Sequence, residues 1–141
     1  MAVADLLKGC PLFFDLFDDE ISRIVGSERV MHFKPGEKII ECSKEGGEIY
    51  ILLEGIAQLE KQVGDSCKKE KFKQGEVFGL LVLLDRRDYG IDVVASTHCS
   101  VLELGHEKIM NLFKSNPRSF GLICLNISRI LAGRLQEKRA S

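Results

Sequence analysis

Residues 75–95 read GEVFGLLVLLDRRDYGIDVVA. The stretch leaves the Gln74-Gly75 turn, makes a two-residue apolar run at Val77 and Phe78, turns again at Gly79 and holds an apolar turn from Leu80 to Leu84. After a polar passage it ends in Val93, Val94 and Ala95, a run suited to a strand. The same texture extends on both sides from Arg29 to Leu104, as brief runs rich in Val, Ile and Leu. Glycine turns separate them at Lys34-Pro35-Gly36, Glu45-Gly46-Gly47, Glu54-Gly55 and Val63-Gly64-Asp65. Short strands with turn signals at this pitch predict an antiparallel barrel or jelly roll. The unbroken apolar run Ile49–Leu53 suits a central strand, whereas Ile56–Glu60 has one wet face. Cys67–Lys73 carries four lysines around Phe72 and reads as a solvated hairpin edge whose lysines discourage strand pairing.

Helical spacing brackets this region. Leu16, Ile21, Ile24 and Val25 recur at helical steps, with Asp18 placed to cap the second half of that segment. A second helical pattern runs from His106 to Phe113. Asn116-Pro117 then opens the longest helix, proline being suited to a first turn. Along it Phe120, Ile123, Ile127, Ile130, Leu131 and Leu135 form a stripe, widened by Leu122, Cys124 and Leu125. That is more apolar surface than a small barrel covers, which predicts a homodimer through this helix. Its polar remainder, Arg118, Arg129, Arg134, Lys138 and Arg139 against Glu137, reads as a solvated face.

The expected architecture is therefore mainly β with flanking helices, a double-stranded β-helix (jelly-roll) barrel between short N-terminal helices and a long C-terminal one. One domain spans 1–141, with helices over 1–27, barrel over 28–105 and C-terminal helices over 106–141. With 141 residues of which 45% are hydrophobic, one core is affordable, and a formal charge of −1 leaves no footprint for nucleic acid. No run is long and apolar enough to span a bilayer, and Met1 to Asp5 lack a secretion pattern, so a cytoplasmic location is expected. Cys10, Cys42, Cys67, Cys99 and Cys124 are widely spaced without a CxxC pair and read as mostly buried thiols. His32, His98 and His106 are equally scattered, so no metal site is expected; nor is an enzyme of the metal-holding jelly-roll kind, which needs paired histidines on neighbouring strands.

The order of elements, with a Gly-x-x-Phe-Gly turn inside the barrel, resembles the cyclic-nucleotide-binding domain, the sensory module of the catabolite activator protein family, of kinase regulatory subunits and of nucleotide-gated channels. Phe33–Ile40 resembles that family's Phe-x-x-Gly-x-x-Ile start of the barrel, Glu48–Gly55 its Tyr-x-Ile-x-x-Gly strand and turn, and Ser128–Gln136 its dimerising helix. The resemblance implies a phosphate cassette that runs Phe-Gly-Glu, a short apolar helix, then Arg. In it, backbone N–H groups and the helix dipole face the cyclic phosphate, the arginine pairs with it, and the glutamate accepts from the ribose hydroxyl.

Aligned on that pattern, Phe78, Gly79 and the apolar turn including Leu81 are kept, but Leu80 takes the glutamate position and Tyr89 the arginine position, next to Gly90. Asp92 stands where Thr or Ser is usual, placing an acid near the expected anion. Losing two anchors worth roughly 1.5–3 kcal/mol each removes on the order of 3–6 kcal/mol, about two to four decades of affinity. Arg86 or Arg87 on a shifted loop, or the Tyr89 hydroxyl, would be the rescuing groups. The resemblance thus implies a regulatory or sensory module that does not bind cyclic AMP in the usual way and signals or assembles through its C-terminal helix. A sensor of a different small ligand and a barrel serving only as a dimerisation or docking scaffold stay open as alternatives. No cofactor other than a cyclic nucleotide is implied. The residues after the long helix are too few for the winged helix-turn-helix of the family's transcription factors, so no nucleic-acid partner is expected of this chain.

Overall fold

Among the described residues, eight antiparallel strands make up two four-stranded sheets, ordered β1-β8-β3-β6 and β2-β7-β4-β5. They are β1 (Val30–Phe33), β2 (Lys38–Ile40), β3 (Glu48–Glu54), β4 (Ala57–Val63), β5 (Ser66–Phe72), β6 (Val77–Phe78), β7 (Asp92–Ala95) and β8 (Cys99–Gly105). The computed structural model describes residues 5, 7–26, 30–41, 47–80 and 91–140, and for 138–140 the backbone alone. The chain divides into two compact units, Glu28–His106 and Met1–Ser27 with Glu107–Ser141.

In the first unit the two sheets pack face to face as a jelly roll. Ile39, Ile40, Tyr50, Leu52, Ala57, Phe72, Phe78, Val93, Ala95, Cys99 and Val101, drawn from both sheets, form its core. The continuous apolar run becomes β3, whose residues Ile49–Leu53 are all buried between β8 and β6, as a central strand requires. The lysine-rich stretch becomes β5, an edge strand exposed over six of its seven residues. Only its last residue, Phe72, enters the core.

Two turns share one design. Phe33-Lys34-Pro35-Gly36-Glu37 and Phe72-Lys73-Gln74-Gly75-Glu76 each carry the pattern Phe-Lys-x-Gly-Glu, with both glycines at φ 90°. In each, the glutamate N–H donates to the lysine carbonyl (3.0 Å in both) and the lysine N–H donates to the glutamate carboxylate (2.8 and 3.1 Å). A positive φ at the third position is what this turn geometry demands. Gly36 N–H then donates to Ala95 O and Gly75 N–H to Leu52 O, both at 2.8 Å, pinning the first turn to β7 and the second to β3. The second turn aims the chain into β6 and so into the candidate site. Gly55, at φ 96°, is tighter still, because a Cβ there would lie 2.3 Å from His98 O.

The helical unit holds a single 3₁₀ turn at Pro11–Phe13, then α1 (Asp18–Val25), α2 (His106–Ser115, its first residue in the barrel unit) and α3 (Pro117–Ala140). α3 starts where Asn116-Pro117 predicts: Asn116 Oδ1 accepts from Ser119 N–H at 3.2 Å and Pro117 takes the first helical position. The expected Asp18 cap is corrected. Phe17 occupies the N-cap, Asp18 is the first helical residue, and the Glu20 carboxylate reaches back to accept from Phe17 N–H at 2.9 Å. Three acids in the first turn still oppose the helix dipole favourably.

Glu20 is the buried polar hub of this unit. Its carboxylate accepts from Ser119 Oγ at 2.9 Å, from Asn116 Nδ2 at 3.4 Å and from Arg118 Nη1, while Arg118 lies 4.2 Å from the Phe17 ring centroid. Burial alone would raise this carboxyl, but the hydrogen bonds from Phe17, Arg118 and Ser119 and the Arg118 charge outweigh it and hold the pKa at about 2. Asn126, fully buried, donates from Nδ2 to Leu12 O and Phe14 O, both at 2.9 Å, tying α3 to the 3₁₀ turn.

Candidate functional site

β6 brings the candidate turn to the barrel interior. Phe78 pairs with Tyr50 and Val77 with Ile51 across β6 and β3. The Phe78 ring stacks at 5.6 Å on Tyr50 and at 5.2 Å on Phe72, so the chain leaves β6 from an aromatic column fixed in the core. Gly79 follows at φ 85°, and Leu80 is buried with 3% of its surface exposed. The position where the sequence pattern places a sugar-binding carboxylate is therefore occupied by a side chain held out of water. Leu81, Arg86, Arg87, Tyr89 and Gly90 lie outside the described residues.

Beyond them Ile91 packs against the core, and β7 delivers Val93 and Ala95 into it. Asp92, expected beside the anion, alternates to the other side of the strand from those two and pairs with Lys38, its Oδ1 3.6 Å from Nζ. Lys38 thus partners the acid, while residues 81–90, which would place the anion, lie outside the described part of the chain. Among the described residues of the barrel unit no charged side chain is buried, and Ser100 is the one buried polar side chain.

The thiols divide by place. Cys10 and Cys99 are buried, Cys67 and Cys124 exposed, and Cys42 lies outside the described residues. The reading of mostly buried thiols thus fails for Cys67, on the edge strand, and for Cys124, on the outward side of α3. Burial pushes Cys10 up to about 11 and raises Cys99, whose Sγ donates to Ile56 O at 3.3 Å. Neither is a poised nucleophile.

On α3 the six stripe residues separate. Ile123 is fully buried within the chain, Phe120, Ile127, Ile130 and Leu131 are half-buried, and Leu135 is 57% exposed. Five exposed uncharged residues, Gly121, Leu125, Ser128, Ala132 and Leu135, step by four and three along the helix, with Cys124 beside them. Sequence periodicity missed this narrower face because small and polar residues fill part of it.

His32 and His98, far apart in sequence, are neighbours in space. β1 pairs with β8 so that His32 faces Ser100, and the two imidazole centroids lie 6.1 Å apart. His32 Nδ1 and Ser100 Oγ share a hydrogen bond of 3.1 Å. Among the described residues no group of three or more His, Cys, Asp or Glu is gathered to hold a metal ion. No helix among them is long and apolar enough to cross a membrane.

An antiparallel jelly roll with a Phe-Gly turn leading off its aromatic core, bracketed in sequence by short helices and one long helix, defines a class of β-roll domains. Within it the chain belongs to the cyclic nucleotide-binding domain family, whose model, described as Cyclic nucleotide-binding domain, matches residues 30–116. The chain is 30% identical over 109 residues to a cAMP-dependent protein kinase regulatory subunit of Colletotrichum orbiculare, covering 77% of this chain and 27% of that protein. It thus spans about a quarter of that relative's length. Among solved structures, the Thermus thermophilus catabolite activator protein matches at TM-score 0.78 and 25% identity, over 92% of this chain and 60% of that one. The regulatory subunit of a cAMP-independent protein kinase A from Trypanosoma brucei matches at TM-score 0.76 and 25% identity, over 89% and 43%. Residues 30–116 thus form a domain of the cyclic-nucleotide-binding type.

Proposed function

We propose that this module no longer takes cyclic AMP in the usual way and acts through α3, by pairing with a second copy. One observation carries the first half: Leu80, at the glutamate position of the cassette, is apolar and 3% exposed. A ribose hydroxyl brought there would lose water and gain no acceptor, a cost of about 1–3 kcal/mol on top of the missing bond. Tyr89 at the arginine position removes the charge-assisted partner of the phosphate. The similarity to the regulatory subunit of a protein kinase A described as cAMP-independent supports a barrel of this kind that works without that ligand.

The second half rests on the exposed four-and-three spacing of Gly121, Leu125, Ser128, Ala132 and Leu135, the seam two helices use when they wind together. No charge interrupts those positions, so pairing them desolvates no ion. The test is paired: calorimetry with cyclic AMP and cyclic GMP, and sedimentation velocity across a protein concentration series. The reading expects no saturable heat at micromolar nucleotide and a concentration-dependent dimer. Micromolar binding would refute the first half, and a monomer at every concentration the second.

A further inference from the structure

We propose that His32 and His98 form a two-imidazole site for a late first-row divalent cation, Zn²⁺ or Ni²⁺, on the outer face of the sheet that contains β1 and β8. β1 and β8 run antiparallel with His32 opposite Ser100, and His98 comes immediately before the first residue of β8, with its ring 6.1 Å from that of His32. Phe33, Cys99 and Val101 pack on the core side of these strands, so the histidines lie on the side away from it. Both imidazoles are exposed, and their centroids are 6.1 Å apart with planes tilted by 39°. Two rings that share one ion at about 2.0–2.1 Å from each nitrogen have centroids roughly 5–6 Å apart. Small side-chain rotations of exposed rings close the difference.

The partner of the other ring nitrogen strengthens the assignment. Metal-bound histidine characteristically donates its second N–H to an oxygen that fixes tautomer and ring orientation. His32 Nδ1 already has that oxygen in Ser100 Oγ at 3.1 Å, and Ser100 is itself 7% exposed and held in the strand. In the tautomer whose Nδ1–H donates to Ser100 Oγ, Nε2 is the ring nitrogen left to bind the ion. Imidazole donors favour zinc, nickel and copper over the oxygen-seeking magnesium and calcium. With two protein ligands the remaining coordination positions fall to water, which makes this an exchangeable surface site and not a structural one that folds the chain.

The test uses the untagged full chain, freed of metal by a chelator, titrated with NiCl₂ and ZnCl₂ by calorimetry. Nickel-induced broadening of backbone amide signals maps the place. The site predicts one-to-one saturable binding, broadening centred on residues 30–34 and 97–101, and a loss of affinity of at least about tenfold in His32→Ala and in His98→Ala. Ser100→Ala removes only the orienting oxygen and is expected to weaken binding by about tenfold, the lower end of what such partners contribute. Both histidines are exposed, so neither variant threatens folding. Affinity unchanged in both histidine variants, as when the exposed Cys67 or Cys124 thiol holds the ion, would overturn the assignment, and so would the absence of saturation.

Discussion

Replacing Glu20 should unfasten the start of α3, and the structure sets the size of the effect. The carboxylate is 8% exposed and accepts from Ser119 Oγ and Phe17 N–H, each at 2.9 Å, from Asn116 Nδ2 and from Arg118. In Glu20→Ala the fully buried Ser119 hydroxyl loses its acceptor, at about 1–3 kcal/mol. The Phe17 N–H can rehydrate, and the Arg118 side chain is 45% exposed, so its pairing adds about 1 kcal/mol once screening is allowed for. With the lost end of α1 this comes to about 3 kcal/mol, or roughly 10 °C in melting temperature for a chain this size. Acid supplies an independent check. A carboxyl depressed from 4.5 to about 2 on folding contributes stability that is full above pH 4.5 and is lost as the pH falls toward 2. Urea melts from pH 7 to 2.5 should therefore show the wild type losing this contribution below pH 4.5, while Glu20→Gln starts lower at pH 7 and lacks that part of the decline. A Glu20→Ala protein within 1 kcal/mol of wild type, or the same acid profile in Glu20→Gln, would show that Glu20 does not fasten the start of α3.

Leu80→Glu alone should destabilise the barrel by a few kcal/mol, since it buries an unpaired carboxyl; combined with Tyr89→Arg it should create cyclic AMP binding measurable by calorimetry, and silence of the double variant would place the obstacle in the loop backbone. Gly55→Ala forces a Cβ to 2.3 Å from His98 O at φ 96° and should cost more than about 2 kcal/mol in a denaturant melt. A melt within 0.5 kcal/mol of wild type would show that the turn relaxes freely. Leu125→Lys with Leu135→Lys alters residues that are 46% and 57% exposed, so it should dissociate the dimer in sedimentation while leaving the melt of the chain nearly unchanged. An intact dimer in that variant would move the interface off this face.

The jelly roll was legible because its signals are local. The glycine turns at Gly36, Gly55, Gly64 and Gly75, a continuous apolar run at Ile49–Leu53 and a lysine-laden run at Cys67–Lys73 each report on residues adjacent in sequence, and each took the place its pattern predicts; Glu45 and Gly46 of the Glu45-Gly46-Gly47 turn lie outside the described residues. The helix starting at Asn116-Pro117 was legible for the same reason. What escaped depends on residues that meet only through the fold. Glu20 finds Ser119 ninety-nine positions away, and His32 finds Ser100 sixty-eight away, so no spacing rule announces either cluster. Asp18 has the composition of a cap but sits one residue inside the helix, and the buried Ile123 shares its apolar spacing with exposed Leu135 because periodicity does not say which side of a helix is already covered. Of the candidate cassette, Phe78, Gly79 and Leu80 are placed by β6 and its pairing with β3; the remaining residues belong to 81–90, outside the described part of the chain.

A cyclic-nucleotide-binding barrel without the two groups that hold the sugar and the phosphate should not take up cyclic AMP at low concentration. Titrating the purified wild-type chain with cyclic AMP in a calorimeter should therefore show no saturation below millimolar nucleotide. A micromolar dissociation constant would contradict it and would mean that another group, such as Arg86, Arg87 or the Tyr89 hydroxyl, supplies the anchor.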